Sequence, residues 1–142
     1  MREVRWQELT RGECFSLLAR QHLGRVVLVD DRGPLALPVN FVLNQYTVLF
    51  RTDEGTKLDV ASRGARVAFE VDGVDEATRT GWSVLVRGEA TEVTDPAELA
   101  RVRGLRLHPW APGAKGHYLR ILPTSLTGRR IALPAAPSNW WG

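Results

Sequence analysis

Leu35-Ala36-Leu37-Pro38-Val39-Asn40-Phe41-Val42-Leu43 decides the fold. Its large apolar side chains, Leu35, Leu37, Val39, Phe41 and Leu43, fall at every second position, the period of a strand with one buried face. Pro38 has no N–H to give to a neighbouring strand, so the strand is expected to lie at an edge, or to bulge, at that residue. Upstream, Arg25 to Val29 is a β-branched run, set off by the turn formers Asp30-Asp31-Arg32-Gly33. Downstream, Asn44-Gln45 turns the chain into a third strand, Tyr46 to Arg51. Three antiparallel strands in succession follow from these stretches.

Before them, Leu9-Thr10-Arg11-Gly12-Glu13-Cys14 starts a helix. Thr10 and Glu13 stand at capping-box spacing, and Leu9 and Cys14 at the positions of a hydrophobic staple. The spacing of Cys14, Leu17, Leu18 and Gln21 predicts a helix from about Arg11 to Leu23, with Gly24 as its left-handed C-terminal residue.

After the three strands, Thr56 to Ser62 reads as a short helix ended by Arg63-Gly64. Arg66 to Val71 alternates as a fourth strand, and Asp72 to Gly81 is polar and is expected to be a long connection. Trp82 to Val93 is the longest strand pattern, and Gly88 within it suggests a bulge or a close approach to the backbone. Asp95-Pro96-Ala97-Glu98 opens another helix with an acid cap and a first-turn proline. His108 to Gly116 is a loop rich in turn formers, His117 to Leu122 a sixth strand, and Thr124 to Ile131 a further one. Trp140-Trp141 ends a Pro/Ala tail and is costly to leave in water, so the tail is expected to pack on this chain or a partner.

Together these patterns predict a mainly β (α+β) chain, an antiparallel barrel of six or seven strands with two or three short helices, forming a single domain over residues 1–142. A small barrel has little internal room, so a cofactor would lie on its outer surface or between two copies.

Composition narrows the function. With 142 residues, 44% hydrophobic and 25% charged, the chain can bury an ordinary core. The longest apolar runs are too short to span a bilayer and Met1 to Arg5 lacks a signal-peptide core, so no membrane association and a cytoplasmic location are expected. Cys14 is the single cysteine and, among Phe15, Leu17 and Leu18, reads as a core residue. The net charge of +3 comes from arginines scattered among acids, which argues against nucleic acid as a partner. His22, His108 and His117 have no metal-ligand spacing, and neither a nucleophile elbow nor a catalytic carboxylate pair is present. No catalytic residue and no metal ligand is therefore assigned.

Phe50-Arg51-Thr52-Asp53-Glu54-Gly55-Thr56-Lys57-Leu58 carries the chemistry. A strand runs through a tight, hydroxyl-bearing loop into a helix start, whose free N–H groups suit a phosphate. Thr52 and Thr56 can donate hydroxyl hydrogen bonds, Gly55 admits close backbone approach, and Lys57 adds a mobile charge. Lysine is scarce here: of 19 basic residues only Lys57 and Lys115 are lysines. Thr56 as a simple helix cap and Lys57 as a solvated first-turn residue are the alternatives.

The order of these segments resembles the flavin-binding split-barrel superfamily, specifically the small actinobacterial-type proteins named for pyridoxamine 5′-phosphate oxidase. The resemblance covers about residues 20 to 131. It is carried by Leu23-Gly24-Arg25-Val26, Leu37-Pro38-Val39-Asn40-Phe41, the loop from Phe50 to Lys57, Ala68-Phe69-Glu70-Val71-Asp72, Gly81-Trp82-Ser83-Val84-Leu85-Val86-Arg87-Gly88, Pro109-Trp110-Ala111-Pro112-Gly113 and Thr127-Gly128-Arg129-Arg130-Ile131. The resemblance implies a homodimer with a flavin in each of two interface sites, FMN being the expected cofactor. By it, Thr52, Thr56 and Lys57 would hold the phosphate, with Arg51 beside them, and Pro38, Val39 and Asn40 would line the ring edge. Trp82 and Ser83 would contact the ring from below, and Trp110 would come from the partner subunit. Trp82 as core, Asn40 facing water and Trp110 as a surface anchor are the rival readings.

The chain departs from an oxidase of pyridoxamine phosphate in lacking an arginine-rich segment over Pro134 to Gly142 with which to grip that substrate. The resemblance thus implies an FMN-dependent oxidoreductase of small electrophilic acceptors such as nitroaromatics or quinones. The alternatives are a reductase of the same fold using the deazaflavin F420, and a flavin- or haem-binding module without turnover.

Overall fold

The computed structural model describes residues 5–105, 107 and 116–132. Their elements, in chain order, are β1 (Arg5–Glu8), α1 (Arg11–Ala19), β2 (Leu23–Asp30), β3 (Gly33–Asn44), β4 (Thr47–Thr52), α2 (Lys57–Ser62), β5 (Arg66–Asp75), β6 (Thr80–Glu92), α3 (Pro96–Arg103) and β7 (His117–Ala132). The strands form one antiparallel sheet in the order β1-β7-β4-β3-β2-β5-β6, and β6 also pairs with β7, which closes six of them into a barrel. The expected α+β split barrel is the fold observed.

The barrel interior holds the alternating side chains. Val26, Phe41, Val48, Phe50, Phe69, Val84, Val86, Leu119 and Ile121 are all at most 1% exposed, and the rings of Phe41 and Phe69 meet edge to face at 4.8 Å. Burying each such side chain contributes about 1.5–3 kcal/mol, so this interior dominates the stability. A second, smaller cluster, with Leu49, Val93, Val102 and Tyr118, packs α3 against the outside of β4 and β7.

Helix α1 starts as expected: the Thr10 N–H donates to Glu13 Oε1 at 3.0 Å and the Glu13 N–H to Thr10 Oγ1 at 3.2 Å. It ends earlier than its periodicity suggested. Arg20 is the C-cap and Gly24 lies inside β2, where a Cβ would overlap the Phe69 ring. The glycine answers a packing need there and not a helix stop. Cys14 is fully buried, as its neighbours implied.

The long connection expected after Val71 is instead a hairpin. β5 continues to Asp75, β6 begins at Thr80 and the register runs unbroken from Arg66↔Glu89 to Asp75↔Thr80. Asp75 Oδ1 accepts the N–H groups of Ala77 and Thr78, a local turn that a polar sequence disguises as loop. Opposite Gly88 the β6–β7 register slips, and a Cβ on Gly88 would overlap the Leu122 carbonyl oxygen, so the bulge and the close approach coincide. The last two expected strands are one, β7, bent at that bulge. Strand β1, which pairs with residues 129–132 of β7, has no pattern by which the sequence marks it.

Candidate functional site

The barrel is split beside β3. β4 pairs with β3 only through residues 41–44, whereas β2 pairs with residues 33–40. Pro38 falls in the half that β4 does not reach, so its missing N–H takes no bond from the ladder. Past Phe50, β4 leaves its neighbour and runs through Arg51 and Thr52 into the loop of residues 53–56 and then α2. The Pro38-Val39-Asn40 stretch and the proposed anion loop therefore border the same split.

The loop differs in detail from the sequence reading. Thr52 is 1% exposed and its hydroxyl donates to Asp59 Oδ1 at 3.0 Å. Its proton is thus given to a carboxylate within the chain. Thr56 is the helix cap of its alternative reading: its Oγ1 accepts the Asp59 N–H at 3.2 Å and donates to the Asp53 carbonyl at 2.8 Å. Gly55 has φ +76°, which only glycine adopts freely, and its N–H donates to Asp59 Oδ2 at 2.9 Å. Lys57 is the first residue of α2. Arg51 lies on the outer side, 5.0 Å above the Tyr118 ring, and reaches the Leu107 carbonyl.

Asp59 is the centre that sequence reasoning missed. Burial works against its charge, but Arg63 (2.6 Å), the Gly55 N–H and the Thr52 hydroxyl outweigh that and hold its carboxyl below the ordinary carboxylate range. Arg63 also donates to Glu92 Oε2 at 3.1 Å, and Glu92 Oε1 lies 2.6 Å from His117 Nδ1. The hydrogen bond to Glu92 raises the His117 pKa above its ordinary value. Spacing gives one clue to this chain of charges, since Asp59 and Arg63 stand four apart on a helix.

Toward the ring edge, Val39 points into the core at 7% exposure, so only its backbone can face a ligand. Asn40 points outward and its Nδ2 donates to the His22 carbonyl at 3.1 Å. Trp82 and Ser83 are neighbours on β6 and so face opposite ways. Trp82 packs against the core cluster and over Gly73, where a Cβ would meet the indole nitrogen at 2.6 Å. Ser83 points outward into a concavity of about 510 Å³ with Glu70, Thr127 and Arg129.

The registers Leu23↔Asn40, Arg25↔Glu70 and Asp72↔Ser83 put Asn40 and Ser83 both on the outside of the barrel, three strands apart around the closed ring. Between them Arg25 bridges Glu70 at 3.2 Å and Asp72 at 3.3 Å. Burial, then the hydrogen bond and charge of Asp72, push the Glu70 pKa up to about 7 against the pull of Arg25. Trp110, like Trp140-Trp141, lies outside the described residues. Among the described residues no three metal-ligating side chains converge, and no helix is long and apolar enough to cross a membrane.

The model of the pyridoxamine 5′-phosphate oxidase family matches residues 10–130. The chain belongs to that family. An uncharacterised protein of Mycobacterium tuberculosis is 43% identical over 129 residues, 87% of this chain and 84% of that one. The solved FAD-binding protein of Mycobacterium smegmatis is 43% identical, superposes with a TM-score of 0.76, and is matched over 88% of this chain and 98% of its own. A conserved protein of unknown function from Corynebacterium diphtheriae gives 32% identity and a TM-score of 0.72, over 87% of this chain and 96% of its own.

Proposed function

We propose that this protein binds a flavin nucleotide at the split beside β3 and acts as an oxidoreductase of small electrophilic molecules. The observation that carries the reading is the split itself. It sets a strand edge, residues 38–40, beside a helix-start loop that ends in Lys57, in a chain 43% identical to an FAD-binding protein.

The donor set suits a flavin nucleotide. Backbone groups of residues 38–40 and the Asn40 side chain would hold the polar ring edge, and the N–H groups opening α2, with the charge of Lys57, would hold the phosphate. With both threonine hydroxyl protons given to acceptors within the chain, the phosphate interaction would rest on Lys57 and the backbone. FMN is the cofactor expected from the sequence; the 43% identical relative is an FAD-binding protein, so FAD is the species to compare with it. A bound flavin supplies hydride and single-electron transfer, while the chain holds it, orients it and leaves access to one face.

The reading includes a homodimer. Ser83 and its concavity lie three strands from Asn40 around the barrel, and they offer the wall that a second copy needs. The exposed apolar side chains of Trp6, Val29, Val74 and Leu122 are surface that such a dimer would cover.

The reconstituted protein should oxidise reduced nicotinamide slowly with a nitroaromatic or a quinone as acceptor, and show little activity on pyridoxamine phosphate. Steady-state rates on such a panel test this. Fast, selective turnover of pyridoxamine phosphate would overturn the assignment of substrate class.

A further inference from the structure

The loop of residues 52–56 already contains an anion, and it belongs to the protein. The Asp59 side chain is 5% exposed and takes three donors: the Thr52 hydroxyl, the Gly55 N–H and the Arg63 guanidinium. Its own N–H is fixed by Thr56. A buried carboxylate with all these bonds is a rigid centre, because losing any one donor leaves charge poorly compensated away from water. Arg63 is in turn held by Glu92 of β6, which His117 of β7 also meets at 2.6 Å, so the loop is anchored to the barrel wall through charge.

We infer that Asp59 is a positioning residue: it fills the inward donors of the 52–56 loop and so fixes the conformation in which Lys57 and the N–H groups opening α2 meet a flavin phosphate. This rests on the flavin reading above. A phosphate then binds to a loop already ordered, and the ordering entropy is spent in folding rather than on binding. It also follows that Asp59 does not touch the ligand and that its neutral variant should not improve binding, although a negative charge is removed.

The test compares Asp59→Asn, Thr52→Val, Arg63→Lys and Arg63→Met with the unaltered protein, using FMN and riboflavin as probes. Hydrogen exchange at the amides of residues 53–56 is followed in the flavin-free protein. Asp59→Asn is expected to weaken FMN at least tenfold and riboflavin less than threefold, and to speed exchange across the loop. Arg63→Lys should keep most of the FMN affinity, while Arg63→Met should behave like Asp59→Asn and serves in its place if that variant fails to fold. Equal loss of FMN and riboflavin, or unchanged FMN affinity with faster exchange, would overturn the inference, as would tighter FMN binding. An unaltered protein that does not prefer FMN to riboflavin would instead defeat the phosphate reading. Exchange in the flavin-free protein would then still show whether Asp59 orders the loop.

Discussion

Thr52 and Asp59, seven residues apart and on different elements, are joined by a 3.0 Å hydrogen bond that both side chains make in the protein interior. The bond gives the threonine proton to an acceptor within the chain. It leaves Lys57 as the charged group of the loop best placed by sequence to recognise a phosphate.

Lys57→Ala should therefore weaken FMN roughly 10- to 100-fold, the equivalent of about 1.5–3 kcal/mol for a charged hydrogen bond. Riboflavin, without a phosphate, should be almost indifferent. Titration by flavin fluorescence quenching checks this, and equal losses for both would make Lys57 a folding residue.

Two glycines should respond in opposite directions to alanine. Gly88→Ala drives a Cβ into the Leu122 carbonyl, where backbone must shift, and should cost about 1–3 kcal/mol. Gly12→Ala meets nothing within 4 Å in α1 and should stabilise by about 0.5 kcal/mol through the entropy of the unfolded chain. Thermal melting of both variants measures the contrast.

The Glu70 pKa, raised to about 7 by burial and Asp72, makes stability depend on pH with a definite sign. The folded state favours the protonated carboxyl, so its contribution is fully present below the ordinary value near 4.5. It is lost as pH rises through about 7. Glu70→Gln should melt close to the unaltered protein at pH 4 and above it at pH 8. A constant difference across that range would show that Glu70 titrates normally.

Much of this fold was legible because its strands alternate cleanly. The face Leu35 to Leu43, the capping box at Thr10 and the acid cap at Asp95 were each correctly read, since the signal lies in a few neighbouring residues. The Asp72 to Asp75 stretch was not, because its partner across the hairpin, not its own polarity, makes it a strand. Gly24 misled for a related reason: the ring of Phe69, distant in sequence, requires the glycine. At the candidate site, spacing located the loop and the ring-edge strand. It could not show that Asp59 claims the threonine and glycine donors, since hydrogen-bond direction inside a loop depends on how the helix turns back on it.

Light scattering should give twice 15.8 kDa for the protein carrying cofactor. A clean monomer at micromolar concentration with cofactor bound would remove the interface site and any contribution to it from a second copy.

The central claim is a flavin nucleotide at the β3 split, and the most direct measurement is the absorbance spectrum and mass of the small molecule released from the purified protein. The account expects a flavin with a 5′-phosphate, FMN or FAD, in about one copy per chain, or stoichiometric uptake of one of them by protein purified empty. Release of deazaflavin F420 or haem, or failure of the folded protein to take up FMN or FAD at micromolar concentration, would contradict it.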